Sequence, residues 1–274
     1  MTTHHHPDAI SRLRSAKGFV FDMDGVLYVG TQRLPGVQEL FDALTLRGRK
    51  IMLATNNSMS TPDSYVEKLA GMGITVPASS ILTSAIATRD YLLRTLSPGS
   101  SIFVIGMPAL SEQLFDDVPY RRSDPGEQPD ALVIGLDKAF NYDKLREASA
   151  MLRAGARFVA TNADATLPTE TGLVPGAGSV VAALSVASGR TPEIIGKPET
   201  PLMEMAIDRM GIQADEAVMI GERLDTDVIA GHNAGMLTAM VLTGVSTREE
   251  AATAEIPPDL IANDLPSITV ALIG

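Results

Sequence analysis

Short apolar runs alternate with amphipathic stretches and Gly/Pro breaks along nearly the whole chain, the pattern of βαβ units that assemble a parallel sheet. Phe19-Val20-Phe21 reads as a buried strand, Gly36 to Leu46 as a helix, and Ile51-Met52-Leu53-Ala54 as the next strand. Ala217-Val218-Met219-Ile220 repeats the theme, ending in Gly221-Glu222 ahead of a helix that runs towards Ala234. Each of these strands gives way to polar residues. That matters because open parallel sheets bind ligands beyond the carboxyl ends of their strands, where loops and helix N-termini converge. Asp22 and Thr55 are predicted at that edge.

Two turn-rich segments, Ser97-Pro98-Gly99-Ser100-Ser101 and Ser188-Gly189-Arg190-Thr191-Pro192, read as linkers. Between them lie three further strand-like runs, Ile102 to Ile105, Ala131 to Ile134 and Arg157 to Thr161, with helical stretches interleaved, enough for a small α/β domain. The expected fold is therefore α/β: a doubly wound, Rossmann-like parallel-sheet core from residues 1–97 and 192–274, with a smaller α/β domain inserted at residues 98–191.

Composition narrows the function. Of 274 residues, 33 are acidic and 22 basic, a formal charge of −11, which argues against a nonspecific grip on nucleic acid or an anionic membrane. There is no cysteine, so neither a disulfide nor thiol chemistry is available, as suits a reducing compartment. No apolar run approaches the roughly 20 residues of a spanning helix, and the start of the chain lacks a basic-then-apolar leader; a cytoplasmic location is expected. His4, His5 and His6 are adjacent at a polar terminus, where a disordered tail or tag remnant is a simpler reading than a metal site.

Four constellations carry candidate chemistry. Asp22-Met23-Asp24-Gly25 places two carboxylates at i and i+2 straight after a strand, with glycine where the chain must turn; the pair invites a cation, although alone it is also an acidic turn. Thr55-Asn56-Asn57-Ser58 sets hydroxyls and amides at a strand-to-helix junction, suited to phosphate oxygens and equally to helix capping. Gly196-Lys197-Pro198 offers an ammonium on a loop stiffened by proline. Gly221-Glu222-Arg223-Leu224-Asp225-Thr226-Asp227 carries three acids on a strand-to-helix turn, able to complete a metal shell or to favour the positive helix end.

In order and spacing these four motifs resemble those of the haloacid dehalogenase-like superfamily, specifically its NagD-like, nitrophenylphosphatase-like branch. The resemblance runs from about Phe19 to Gly244 and includes Leu82-Thr83-Ser84-Ala85, Ala160-Thr161-Asn162-Ala163-Asp164 and Pro175-Gly176-Ala177-Gly178-Ser179. It implies a magnesium-dependent phosphatase. Asp22 would be the nucleophile and Asp24 the general acid and base; Thr55, Asn56, Asn57 and Lys197 would hold the phosphate. Asp22, the Asp24 backbone carbonyl and Glu222 would hold Mg2+, with Asp227 supporting them or simply starting a helix. Glu222 departs from the branch, where Asp is usual, and its extra methylene moves the carboxylate by about 1.5 Å in an extended side chain.

By the same resemblance the inserted domain is a C2-type cap whose loop over Asn162, Asp164 and Leu167 faces the substrate, although Asn162 and Asp164 are also ordinary turn residues. Leu167 stands about where a pyridoxal-phosphate-selective member carries histidine, which disfavours that substrate. The expected partners are small phosphorylated metabolites such as sugar phosphates, nucleotides, phosphoglycolate or aryl phosphates. Related capped proteins often pair through the cap, so a homodimer is a further expectation. Dehalogenation by the same fold is disfavoured, because it would need neither magnesium nor Asp24; the competing reading is a phosphate-metabolite binding protein that turns over poorly because of Glu222.

Overall fold

The strand Gly18–Phe21 is buried along its entire length, as an apolar run with no polar alternation demands of a strand covered on both faces. In the computed structural model, which describes residues 3–4, 8–169 and 172–274, it is an inner strand, fifth of seven, in a mostly parallel sheet. The order is Thr3–His4, Leu260–Ala262, Leu237–Val241, Ala217–Gly221, Gly18–Phe21, Lys50–Thr55 and Ile81–Thr83. Gly18–Phe21 runs parallel to both neighbours, with Phe21 opposite Ile220 on one side and Leu53 on the other. All three strands thus end level. Because the chain leaves Gly18–Phe21 first to one side and later returns on the other, their carboxyl ends border a topological switch point. Thr3–His4 pairs antiparallel with the sheet edge, His4 opposite Leu260; His5 and His6 lie outside the described residues.

The chain forms two compact units. One comprises residues 1–55, 62–82 and 197–274, and the other residues 56–61 and 83–196. In the first, helix Val37–Leu46 buries Val37, Leu40, Phe41 and Leu44, a stripe at the helical period. Phe41 packs against Phe21 with ring centroids 5.1 Å apart, joining one large core that also holds Leu27, Leu53, Val218, Ile220 and Ile268. Gly36 starts that helix at φ 80°, and a side chain there would also run into the Pro266 ring.

The second unit has its own sheet of five parallel strands, in the order Glu193–Ile194, Arg157–Ala160, Ala131–Ile134, Ser101–Ile105 and Arg121–Arg122. Helices Tyr142–Arg153 and Ala177–Ser188 contribute to a separate core around Leu132, Ile134, Leu152, Phe158 and Leu184. An antiparallel hairpin, Thr166–Thr169 with Gly172–Pro175, completes it. The strands therefore fall where the apolar runs indicated, and the α/β class with an inserted α/β domain holds.

The seam differs from the expected one. The chain passes between the units at 55/56, 61/62, 82/83 and 196/197, where only two crossings, at 97/98 and 191/192, were expected. Helix Ser84–Thr95 belongs to the second unit: Arg157 donates to Thr95 O and Tyr91 Oη, and Thr83 Oγ1 to Gln113 Oε1. Ser97 to Ser100 form a loop within that unit that leads into the strand Ser101–Ile105. Turn composition marks where a chain bends, whereas a seam is set by which side chains it buries and against what.

Candidate active site

Asp22 follows Phe21, and its N–H extends the ladder to Ile220 O at 2.9 Å. The residue is almost covered, at 9 % exposed. Two residues on, the chain reverses: Leu27 N–H donates to Met23 O and Gly25 N–H to Tyr28 O, both at 2.8 Å, with Gly25 at φ 75°. This turn holds Asp24 at the surface, where its Oδ2 accepts from Tyr28 Oη at 3.3 Å. Lys68 stands over the Tyr28 ring, 3.8 Å from its centroid.

Lys197 ties the first unit's strand ends together. Its ammonium, 3 % exposed, donates to Asp22 Oδ1 at 2.6 Å, to Asp227 Oδ1 at 2.7 Å and to Ala54 O at 3.2 Å. The last bond anchors it one residue before Thr55, which is itself buried. Asp227, 1 % exposed, uses its second oxygen to accept from the backbone N–H groups of Glu222 at 3.0 Å and Arg223 at 3.1 Å. A π-type turn over Leu224–Val228, closed by Val228 N–H to Arg223 O, brings Asp227 back over this strand end. Asp225 instead turns outward and pairs with Arg223.

Glu222 is 5 % exposed, and its Oε2 accepts from Val245 N–H in the loop after the Leu237–Val241 strand. Oxygens of Asp22, Glu222 and Asp227 lie within 4.8 Å of one another. Three carboxyl groups against one ammonium leave negative charge uncompensated in a buried place. Burial, with the nearby Asp227 and Asp24 charges adding to it and Lys197 opposing it, pushes Asp22 up to about 7. Burial likewise pushes Glu222 up to about 7. Asp24 keeps an exposed edge, yet loss of hydration on its backed side raises it, against the pull of Lys68 and the Tyr28 bond. Burial works to lower Lys197, but Asp22 and Asp227 hold it above its ordinary value.

The donors are all oxygens, close together and short of positive charge, which fits a hard divalent cation such as Mg2+. The Asp24 side chain is not part of this cluster. Asp227 has both oxygens engaged by Lys197 and backbone N–H groups, so it orients its neighbours rather than presenting a free carboxylate.

Asn56, the residue after Thr55, is held within the second unit. Its Nδ2 donates to Asp164 Oδ1 at 3.0 Å, while its carbonyl accepts from Asn162 Nδ2 at 2.8 Å and Ser84 Oγ at 2.6 Å. Asn162 and Asp164, open in the sequence between turn residues and substrate contacts, thus also grip Asn56; Asn162 Oδ1 in addition accepts from Asp164 N–H at 3.1 Å, a turn contact. Asn57 caps locally, its Oδ1 accepting from Met59 N–H at 2.7 Å. Leu167 sits half-buried in the hairpin, opposite Val174. Tyr28, Lys68, Gly244 and Val245 carry no site assignment in the sequence, and Ser84 stands there only within the Leu82-Thr83-Ser84-Ala85 stretch of the resemblance. Only Gly244-Val245 carried a usable signal, a Gly following a buried strand run at the same sheet edge.

Residues 19–117 match the haloacid dehalogenase-like hydrolase family and residues 194–268 a second HAD-hydrolase-like family. An acid sugar phosphatase of Staphylococcus aureus (strain USA300) is 38 % identical over 253 residues, covering 92 % of this chain and 96 % of that protein. A 4-nitrophenylphosphatase from Thermotoga maritima superposes with a TM-score of 0.89 at 34 % identity, covering 98 % of this chain and 100 % of that one. A glycerol phosphate phosphatase from Mycobacterium tuberculosis, solved with magnesium, superposes at 0.87 and 35 % identity, covering 94 % and 77 %. This chain belongs to the haloacid dehalogenase-like hydrolases, in their NagD-like, nitrophenylphosphatase-like branch. Within that class it is a phosphatase, with relatives that act on phosphate monoesters. No helix among the described residues is long and apolar enough to cross a membrane.

Proposed function

We propose that this phosphatase hydrolyses small phosphate monoesters in two steps, through a phosphorylated Asp22, in the presence of Mg2+. The observation that carries the reading is the buried group of Asp22, Glu222 and Asp227 around a single Lys197. Such a group has too little positive charge by itself and is suited to receive both a cation and a phosphate.

An oxygen of Asp22 attacks phosphorus while the bond from phosphorus to the leaving alkoxide breaks. Asp24, whose raised pKa favours a carboxyl that still holds its proton, donates that proton to the alkoxide. Asp24 then takes a proton from water as the water oxygen attacks phosphorus, and the Asp22–phosphorus bond breaks to release inorganic phosphate. Lys197 opposes the effect of burial on Asp22 and aims its carboxylate, and its charge, with polar groups of Thr55, Asn56 and Asn57, offsets that of the phosphoryl oxygens. Asp22, the backbone carbonyl of Asp24 and Glu222 would hold Mg2+, which supplies positive charge against the phosphate oxygens when bound. Asp227 positions Lys197 and the Glu222 backbone.

The inserted domain serves as a cap that excludes water and selects the leaving group. The named substrates of the relatives favour a sugar phosphate or glycerol phosphate, with an aryl phosphate as an artificial substrate. A cytoplasmic location accords with small metabolites of this kind.

The test is release of inorganic phosphate from 4-nitrophenyl phosphate and a panel of metabolite phosphates, with and without Mg2+, for the wild type and Asp22→Asn. Magnesium-dependent turnover that vanishes in Asp22→Asn is expected. Turnover that survives the substitution would remove the aspartyl-phosphate mechanism, and saturable phosphate binding without turnover would favour a binding role.

A further inference from the structure

Glu222 is folded into a space that only glycine at position 244 leaves open. A Cβ built on Gly244 would fall on the Glu222 carboxylate and stand 2.5 Å from its Cγ, far inside contact distance. Gly244 is not among the glycines at positive φ, so its backbone accepts a side chain and the obstacle is Glu222 itself. A Cβ on Gly25 would lie 2.9 Å from the same Cγ and 3.2 Å from Gly244 Cα, so both glycines border the Glu222 side chain. The carboxylate is then fixed by one bond, Val245 N–H to Oε2, which leaves Oε1 for another partner.

The loop cannot simply step aside. Thr243 Oγ1 donates to Gly25 O at 2.6 Å, Ser246 N–H to Glu222 O at 3.3 Å, and Leu224 N–H to Ser246 Oγ at 3.1 Å. It is therefore strapped to the turn after Asp24 and to the turn after Glu222. A side chain one methylene longer than aspartate must fold back to place its oxygen beside Asp22, and this strapped loop is what folds it.

We infer that Gly244 and the Val245 N–H are positioning groups that make Glu222 a working cation ligand, so that residues 222 and 244 determine metal affinity as a matched pair. The inference rests on the reading of Asp22 and Glu222 as cation ligands. An alanine at 244 drives the carboxylate off its seat; an aspartate at 222 lacks the Cδ and Oε2 that lie closest to the alanine methyl, and its shorter carboxylate is free to turn its Cγ away from it.

The experiment measures binding of Mn2+, a paramagnetic stand-in with the same preference for oxygen donors, to the full substrate-free chain by the EPR signal of the free ion. Melting in EDTA checks the fold of each variant. Gly244→Ala is expected to weaken Mn2+ binding by about tenfold or more, as loss of a ligand's support does. Glu222→Asp combined with Gly244→Ala is expected to bind more tightly than Gly244→Ala alone. Wild-type affinity in Gly244→Ala, or a double variant no better than the single, would overturn the inference. Should Gly244→Ala not fold, the double variant decides, because matched volumes require that it fold and bind. A wild type that binds no Mn2+, or Glu222→Ala that binds as well as wild type, would instead sink the ligand reading and the inference with it.

Discussion

Lys197 and Asp227 form a buried ion pair, Nζ to Oδ1 at 2.7 Å, with the two side chains 3 % and 1 % exposed. Its worth lies less in mutual attraction than in what each partner would suffer alone. Asp227 also caps the N–H groups of Glu222 and Arg223 through its other oxygen. Asp227→Asn can keep an acceptor for Lys197 or for those N–H groups, but not for both. We expect a loss of about 3 kcal/mol in urea unfolding measured in EDTA. A change below 0.5 kcal/mol, the range of an ordinary surface substitution, would mean that Asp227 merely starts a helix.

The same crowding of carboxylates sets the response to metal. A cation that binds only the folded state stabilises it by about 2.7 kcal/mol at a hundredfold excess over Kd, which for a chain of this size corresponds to a rise in melting temperature of roughly 5 °C. Wild-type protein should show that rise with Mg2+. Asp22→Asn, which removes one buried negative charge while keeping an acceptor for Lys197, should melt no lower than the wild type in EDTA and gain much less from Mg2+. An equal gain in both would show the ion bound elsewhere.

How much of this was readable without coordinates depends on what each feature rests on. Asp22, Thr55 and Glu222 follow continuous apolar runs, and an apolar run with a polar end is visible in sequence; level strand ends then place Asp22 and Glu222 beside each other. Asp227 was ambiguous because helix starts and salt bridges both use aspartate, and the π-type turn that aims it inward has no compositional mark. The seam at 82/83 was invisible for a different reason. Helix Ser84–Thr95 is assigned to its unit by Thr83, Ser84 and Tyr91 bonding to Gln113, Asn56 and Arg157, partners between 28 and 66 residues away.

Burial also predicts where the core is least forgiving. Phe41 is 2 % exposed and packs against Phe21, the residue before Asp22, with ring planes tilted by 60°. Phe41→Ala should cost about 3–5 kcal/mol in urea unfolding. A loss under 1 kcal/mol would mean that the neighbouring side chains refill the space.

Asp164 allows the substrate-loop reading to be separated from a supporting one. Its Oδ1 accepts from Asn56 Nδ2, so an asparagine at 164, which retains that acceptor, should preserve the contact, whereas alanine should not. If Asp164 acts through Asn56, Asp164→Ala raises KM by a similar factor for every phosphate ester in the panel, Asp164→Asn stays near wild type, and Asp164→Ala adds nothing once Asn56 is already alanine. A residue that reads the leaving group behaves otherwise: its removal reorders the panel, its effect persists in Asn56→Ala, and asparagine fails to rescue it when charge is what the substrate meets. Steady-state kinetics on the four proteins and the wild type therefore discriminates between the two roles, because support for Asn56 affects what all substrates share and direct recognition affects what distinguishes them.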